Sequence, residues 1–182
     1  MKGVLSMKDF IAANKDALGI HQYAFLTTDK ITFSPDVRKL CEVNACGLYG
    51  KTWACPPGVG PLEDCIARIQ KYKHIFVFTT MHQLEDSFDY EGMMSGRDKH
   101  NDLCPAIAKL FSEKYYDILV LAGEGCSKCA VCTYPDEPCR FPESLHPSIE
   151  SYGVMVNKLA AAGKINYING PNTVTYFGCI IY

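Results

Sequence analysis

Four cysteines lie close together in one segment, GCSKCAVCTYPDEPCRFP, which runs from Gly125 to Pro142. Three follow the spacing Cys-x2-Cys-x2-Cys, and the fourth comes after six intervening residues: Cys126, Cys129, Cys132 and Cys139. Three thiolates with this spacing can surround one side of a cube-shaped iron–sulfur cluster, while the fourth completes its coordination. Zinc usually takes its thiolates in two separated pairs, so the third closely spaced cysteine favours iron. The segment therefore predicts a metal centre, and the chain has to fold so that these thiols converge.

A second group of cysteines precedes this segment, in the stretch CEVNACGLYGKTWACPPGVGPLEDC. Its members are Cys41, Cys46, Cys55 and Cys65. The glycines between them allow the backbone to wrap closely around a metal and to direct N–H groups at sulfur. Cys65 falls in the first turn of a predicted helix, whose positive end stabilises a thiolate. The spacing matches no simple rule, so the residues alone leave open a second four-thiolate site and a set of buried cysteines.

Composition limits the class of protein. The chain has 182 residues, of which 48% are hydrophobic, and a formal net charge of -2, which fits one compact domain over residues 1–182. No basic stripe suited to nucleic acid is present, the opening MKGVLSMKDF lacks the apolar h-region expected of a signal peptide, and no apolar run is long enough to span a membrane. We therefore expect a cytoplasmic protein that binds neither nucleic acid nor membrane. In that reducing compartment, the ten cysteines are better suited to metal ligation than to disulfides.

Helices and apolar strands alternate along the chain. The predicted helices follow the cap residue Ser6, begin at Pro61, cover about 102–115 and extend from Ser148 to about 162. The predicted strands are 23–27, 31–33, HIFVFTTM, DILVLAG and TVTYFGCIIY, and a polar connection is predicted over 83–96. This order predicts an α/β fold, a single compact domain in which a mixed sheet is flanked by helices. The two cysteine-rich metal-binding loops are expected at the strand ends.

Nearly the whole chain resembles a prokaryotic family of uncharacterised, cysteine-rich proteins that are described as predicted metal-binding proteins and are common in anaerobes. The matching stretches are VRKLCEVNACGLYGKTWACPPGVG, LEDSFDYEGMM, GCSKCAVCTYPDEPCRFPES and YINGPNTVTYFG. The resemblance implies that all eight cysteines named above hold metal in an iron–sulfur protein, and it implies no particular reaction. Cys104 and Cys179 lie outside the family pattern and are interpreted as a helix-start residue and a core residue. Ligation crossed between the two groups, with Cys139 serving the other cluster, stays open.

Three functions are compatible with these residues. The first is electron transfer to a redox partner protein through one or two [4Fe-4S] clusters. The second is an enzyme in which one cluster keeps an open iron position beside a substrate. Its candidate polar groups are His82, Glu85, Asp86, Asp89, Glu91, Asn169, Asn172 and Thr173. The third is a protein stabilised by structural zinc. The sequence does not fix the oligomeric state.

Overall fold

A four-stranded sheet forms the centre of the computed structural model, which describes residues 6–123, 125–126 and 128–182. The strands are β1 (Gln22–Thr27), β2 (His74–Gln83), β3 (Leu119–Ala122) and β4 (Thr173–Ile181). They lie in the order β1-β2-β4-β3, and each neighbouring pair is antiparallel. The predicted α/β class and single compact domain are confirmed, but the sheet is antiparallel instead of mixed. Strands β2 and β3 run parallel to each other. Strand β4 lies between them and runs in the opposite direction.

Helices cover both faces of the sheet. They are α1 (Met7–Asn14), α2 (Pro35–Leu40), α3 (Leu62–Gln70), α4 (Tyr90–Ser112) and α5 (Val156–Gly163). Side chains alternate along a strand, so Phe76 and Phe78 of β2 pack with α1 and α4, whereas Ile75 and Val77 pack with α3 and α5. Two hydrophobic cores thus lie on opposite sides of one sheet. No helix within the described part of the chain is long and apolar enough to cross a membrane.

Several predicted elements are confirmed at their caps. The Ser6 hydroxyl accepts a hydrogen bond from the backbone N–H of Asp9 at 3.2 Å, as expected of a helix N-cap. Pro61 directly precedes α3, with acidic residues in the first turn of that helix. The strands predicted from 23–27, HIFVFTTM, DILVLAG and TVTYFGCIIY all form, and the four-cysteine segment follows the end of β3.

The connection predicted over 83–96 is wrong in its second half, because α4 already begins at Tyr90. The Asp89 carboxylate caps this helix by accepting a hydrogen bond from the N–H of Gly92 at 2.8 Å. Gly96 is needed for packing: a Cβ at this position would lie 2.9 Å from the ring of His82 on β2. The glycines that indicated a loop therefore allow a helix to approach the sheet closely.

Three further predictions are corrected. Cys104 lies inside α4 instead of at a helix start, because the buried stripe around it keeps the helix continuous through Pro105. The helix predicted from Ser148 starts only at Val156, after a short 3-10 turn that ends at Gly153 with a φ of +68°. The strand predicted over 31–33 is reduced to a single bridge between Phe33 and Val154.

Candidate metal centre

The four cysteines of the 125–142 segment line one cavity. Cys126, Cys129, Cys132 and Cys139 all belong to the wall of a space of about 530 Å³, and each is partly exposed. The described residues of this segment, 125–126 and 128–141, form no helix or strand, so the backbone can curl around this space. Cys139 thus lines the same cavity as the other three cysteines of its segment, and metal ligation by these four residues stays a prediction.

Burial and the neighbouring thiols in this cavity disfavour the thiolate form of Cys126, and a bound cation would stabilise it. Burial raises the pKa of Cys126, and the neighbouring charges of Cys139, Cys129 and Cys132 raise it further. A backbone hydrogen bond from Lys128 acts in the opposite direction, and the N–H of Phe141 lies 3.4 Å from the Cys139 sulfur as its donor. Positive metal would offset the repulsion among the thiolates, and N–H donors to sulfur are a usual feature of iron–sulfur sites.

Three cysteines of the other group line a second cavity, also of about 530 Å³: Cys41, Cys46 and Cys55. Cys41 follows the end of α2, and Asn44 and Gly47 then reverse the chain with positive φ values. The Asn44 side chain fixes this reversal by accepting a hydrogen bond from the N–H of Tyr49 at 3.0 Å. The local turn brings Cys46 back toward Cys41 on one wall.

The chemistry of the second cavity suits a bound cation. Burial raises the pKa of Cys55 to about 11, and the charges of Cys46 and Cys41 raise it as well. Burial also raises the pKa of Cys41, with Glu150 as the next contribution. The Thr52 hydroxyl lowers the pKa of Cys55, and it is buried without a hydrogen-bond partner of standard geometry among the described residues. Thiolates gathered here would need a cation for charge compensation.

Cys65 does not join the other three. It is fully buried on the core face of α3, and it is absent from the described residues that line the cavity. Its sulfur lies 3.3 Å from Nη2 of Arg68 and 3.8 Å from Nη1 of Arg38. The predicted role of Cys65 as a ligand thus has no counterpart in this arrangement, in which the sulfur contacts two guanidinium groups.

The two cavities share a wall. Gly125 lies against Cys55: a Cβ on Gly125 would be 2.8 Å from the Cys55 sulfur, and the next residue, Cys126, lines the other cavity. The loops also pack directly, because the Trp53 indole donates to the carbonyl of Glu137 at 3.1 Å and its ring meets Tyr134 edge-on at 4.9 Å between centroids. Metal centres in the two cavities would therefore be neighbours.

The charges on the two cavity walls differ in sign. The cavity of the 125–142 segment is lined by four basic residues and, among the described residues, by no acidic one: Lys51, Arg97, Lys128 and Arg140. The cavity at Cys41 has the opposite composition, with Glu150 on its wall and no lysine, arginine or histidine among the described residues that line it. The environment of a centre in one cavity is thus cationic, and in the other anionic.

Within the described ranges, no three histidine, cysteine, aspartate or glutamate side chains converge tightly enough to hold a single metal ion. A tetrahedral zinc site needs sulfur atoms at about 2.3 Å from one centre. A multi-iron cluster is different, because each thiolate binds its own iron atom and the sulfur atoms lie further apart. The described thiols are spread around the walls of the two cavities and do not converge on one point.

The other predicted polar residues divide into two groups. The acidic segment before α4 is used for turn and cap contacts, since Asp86 and Asp89 accept hydrogen bonds from backbone N–H groups of their own segment. Asn169 and Thr173 instead line the cavity at Cys41, and the Asn169 amide donates to Thr175 at 2.8 Å. Cys179 is buried in β4, as predicted of a core residue.

Sequence reasoning missed Glu150, Tyr167 and the two arginines at Cys65. Glu150 lies in a short turn that the sequence assigned to a helix, so its place on the cavity wall was not predictable from periodicity. The contacts of Arg38 with the carbonyl groups of Gly60 and Ser151 depend on long-range packing. No local signal identifies such residues.

Residues 24–182 match the sequence profile of a family described as predicted metal-binding protein (DUF2284). The chain belongs to this family. The match covers both cysteine groups and confirms the resemblance drawn from the motifs. The match shows that this DUF2284 protein belongs to a predicted metal-binding family, and it does not identify the metal.

Epoxyqueuosine reductase from Bacillus subtilis is similar to this DUF2284 protein among solved structures, with 10% sequence identity and a TM-score of 0.37. The alignment covers 96% of this chain and 45% of the reductase chain, so the protein spans less than half of that length. At this TM-score the similarity supports no conclusion about function. None of the curated proteins matches the chain.

Proposed function

We propose that this protein holds two iron–sulfur clusters, one in each cysteine cavity, and transfers single electrons between them and a redox partner protein in the cytoplasm. The observation that carries the proposal is the pair of adjoining cavities, each lined by at least three cysteines. The wall between them is thin, since Gly125 abuts Cys55 and is followed directly by Cys126. Clusters so placed are neighbours, as a path for electrons requires.

The protein's contribution to this function is to hold and shield the clusters. Four thiols and N–H donors to sulfur are available in the cavity of the 125–142 segment, and Lys128 and Arg140 offset the negative charge of a reduced cluster. Three thiols are available in the other cavity. When bound, the clusters supply reversible one-electron chemistry, and the surrounding charges set their potentials.

The first test is metal analysis of protein purified without oxygen. We expect about eight irons and eight sulfides per chain, brown colour, and bleaching on reduction with dithionite, because two cubane clusters contain that number of atoms. Colourless protein with one or two zinc ions and no sulfide would reject the proposal in favour of structural zinc.

Cysteine variants assign the clusters to the cavities. Cys41→Ser and Cys126→Ser should each lose about half of the iron, since each removes a ligand from a different cluster. Cys104→Ala is the matched control: Cys104 is buried in α4 and lines neither cysteine cavity, so its iron content should equal that of the unaltered protein. Loss of all iron from every variant, the control included, would indicate general unfolding instead of specific ligation.

A further inference from the structure

The cavity at Cys41, Cys46 and Cys55 has the size and lining of a small-molecule site. Its volume of about 530 Å³ lies within the usual range for ligand pockets, about 300–1,000 Å³. Most of its wall is aliphatic or aromatic, and a few polar groups interrupt it: Ser148, Glu150, Asn169, Thr173 and Thr175. An apolar pocket with a small number of placed polar groups is the usual form of a binding site for an organic ligand.

We infer that this cavity binds a small organic molecule that has an apolar body and a cationic or hydrogen-bond-donating group, and that the molecule lies directly against the three cysteines. The inference rests on the proposed function for the cluster beside the ligand. It goes beyond electron transfer because it assigns a substrate or effector class to one of the two centres.

The charged residues on the cavity wall indicate which sign of charge the ligand should have. Glu150 and the thiols are the ionisable acids that face the space, and the described residues that line it include no lysine, arginine or histidine. Glu150 lines the same cavity as Cys41 and Cys55, and its charge raises the pKa of both thiols. An anionic ligand would meet repulsion from this set, whereas an ammonium or amide donor would be attracted.

Polar groups in this cavity are held in place. The Asn169 amide nitrogen donates to the Thr175 hydroxyl at 2.8 Å, and its oxygen lies 3.1 Å from Nε2 of His21. The Tyr167 ring is fixed against Phe177 at 5.7 Å between centroids. Fixed polar and aromatic groups bind a ligand with little further loss of conformational entropy.

The mouth of the cavity exposes apolar side chains. Leu40 is 68% exposed, Ile168 is 77% exposed and Tyr167 is 52% exposed, and all three line the cavity. Exposed apolar residues grouped at one opening are typical of a surface that a ligand covers. The apolar body of the ligand is therefore expected to lie at the mouth, with its polar group directed inward toward Glu150.

The arrangement of Cys65 leaves room for the ligand at the metal. A four-iron cluster takes one protein ligand at each iron, and this cavity offers three thiols. The sulfur of Cys65 contacts Arg38 and Arg68 on the core side of α3 and is not on the cavity wall. A cluster held by these three thiols alone would have one iron without a protein thiolate, in the cavity where the molecule would bind.

Three probes that share a benzyl or phenyl ring test the charge preference: benzylamine, benzyl alcohol and benzoate. Binding is measured by calorimetry on the iron-loaded protein, and contact with the cluster by the electron paramagnetic resonance spectrum after reduction. We expect benzylamine to bind at least about tenfold more tightly than benzoate, and to change the spectrum of the cluster at Cys41. Equal affinities, or binding of benzoate alone, would overturn the assignment.

Glu150→Gln keeps the shape of the side chain and removes its charge. We expect it to weaken benzylamine binding by about tenfold and to leave benzyl alcohol binding nearly unchanged. Glu113→Gln, at an exposed residue that lines neither cysteine cavity, is the matched control and should bind both probes as the unaltered protein does. If both variants behave alike, Glu150 does not select the ligand.

Cys65→Ser tests the open iron position, with Cys41→Ser as its counterpart. Cys65→Ser should keep the full iron content, whereas Cys41→Ser loses about half. Loss of half the iron in both would mean that Cys65 closes the coordination, and the open position would be rejected. Full iron with no binding of any probe would reject the ligand site and leave the proposed function standing. Iron-free protein that still binds benzylamine would reject the proposed function and retain the site.

Discussion

Gly125 is the residue at which the two cysteine cavities meet. Its φ is +71°, and a Cβ at this position would lie 2.8 Å from the Cys55 sulfur and 3.3 Å from Leu48. We expect Gly125→Ala to lose about half of the iron, because the sulfur of Cys55 has to move away from its cavity. The left-handed backbone should add an unfolding penalty of about 1–3 kcal/mol. Iron analysis and urea unfolding measure the two effects.

Gly170→Ala separates cluster loss from backbone strain. Gly170 also has a positive φ, +104°, but nothing lies within 4 Å of the position its Cβ would take. This variant should therefore lose a similar free energy of unfolding and keep its full iron content. Equal iron contents in the two variants would show that Gly125 is required by its turn alone and not by the sulfur beside it.

At the scale of elements, α4 packs on β2 through a buried histidine. His100 is 1% exposed, its Nδ1 lies 2.9 Å from the Thr80 hydroxyl, and its ring stacks on Phe78 at 5.5 Å between centroids. Burial lowers the pKa of His100 to about 4, below the usual value of about 6.5. The unfolded chain therefore takes up a proton first as the pH falls from about 6.5 to 4, so acid destabilises the folded protein in this window.

Urea unfolding at pH 7.5 and pH 5.0 measures this effect. The unaltered protein should lose stability through His100 by up to about 1.4 kcal/mol per pH unit, and His100→Gln should lose less over the same interval. His74→Gln replaces an exposed histidine and serves as control; it should show the same loss as the unaltered protein. The same pH dependence in all three proteins would contradict the role assigned to His100.

For the whole molecule, opposite charges on the two cavity walls predict two different reduction potentials. The cluster beside Lys128 and Arg140 should be reduced at the higher potential, because basic side chains stabilise the added electron, and Glu150 should lower the potential of the other cluster. Each such charge is worth on the order of 50–100 mV in a partly screened site. Electrons should therefore pass from the cluster at Cys41 to the cluster beside Lys128 and Arg140.

Redox titrations of single-cluster proteins check this order. Cys126→Ser isolates the cluster at Cys41, and Cys41→Ser isolates the other one. In the Cys41→Ser background, Lys128→Gln should lower the reduction potential of the remaining cluster by roughly 50 mV. Lys114 lines neither cysteine cavity, so Lys114→Gln is the control and should leave that potential unchanged. Two equal potentials, or the reverse order, would exclude the predicted direction.

Local patterns were sufficient for most elements and for the grouping of one set of cysteines around a cavity. The cap at Ser6, the start of α3 after Pro61 and the apolar strands are governed by neighbours in the sequence, so residue order predicts them. The Cys-x2-Cys-x2-Cys spacing acts in the same way, because its first three thiols are placed by a few adjacent backbone angles. The start of α4 was missed because Gly92 and Gly96 are compatible with either a loop or a close helix contact.

The sequence by itself determined most of the elements, the two cysteine groups and the membership of a predicted metal-binding family, because each depends on residues close together in the chain or on long matching stretches. Only the tertiary structure decided that β4 lies between β2 and β3, that the Cys65 sulfur contacts two arginines, and that Glu150 lines the same cavity as Cys41 and Cys55. These are contacts between segments far apart in the sequence. They depend on which surfaces can be buried together, and no local pattern contains that information.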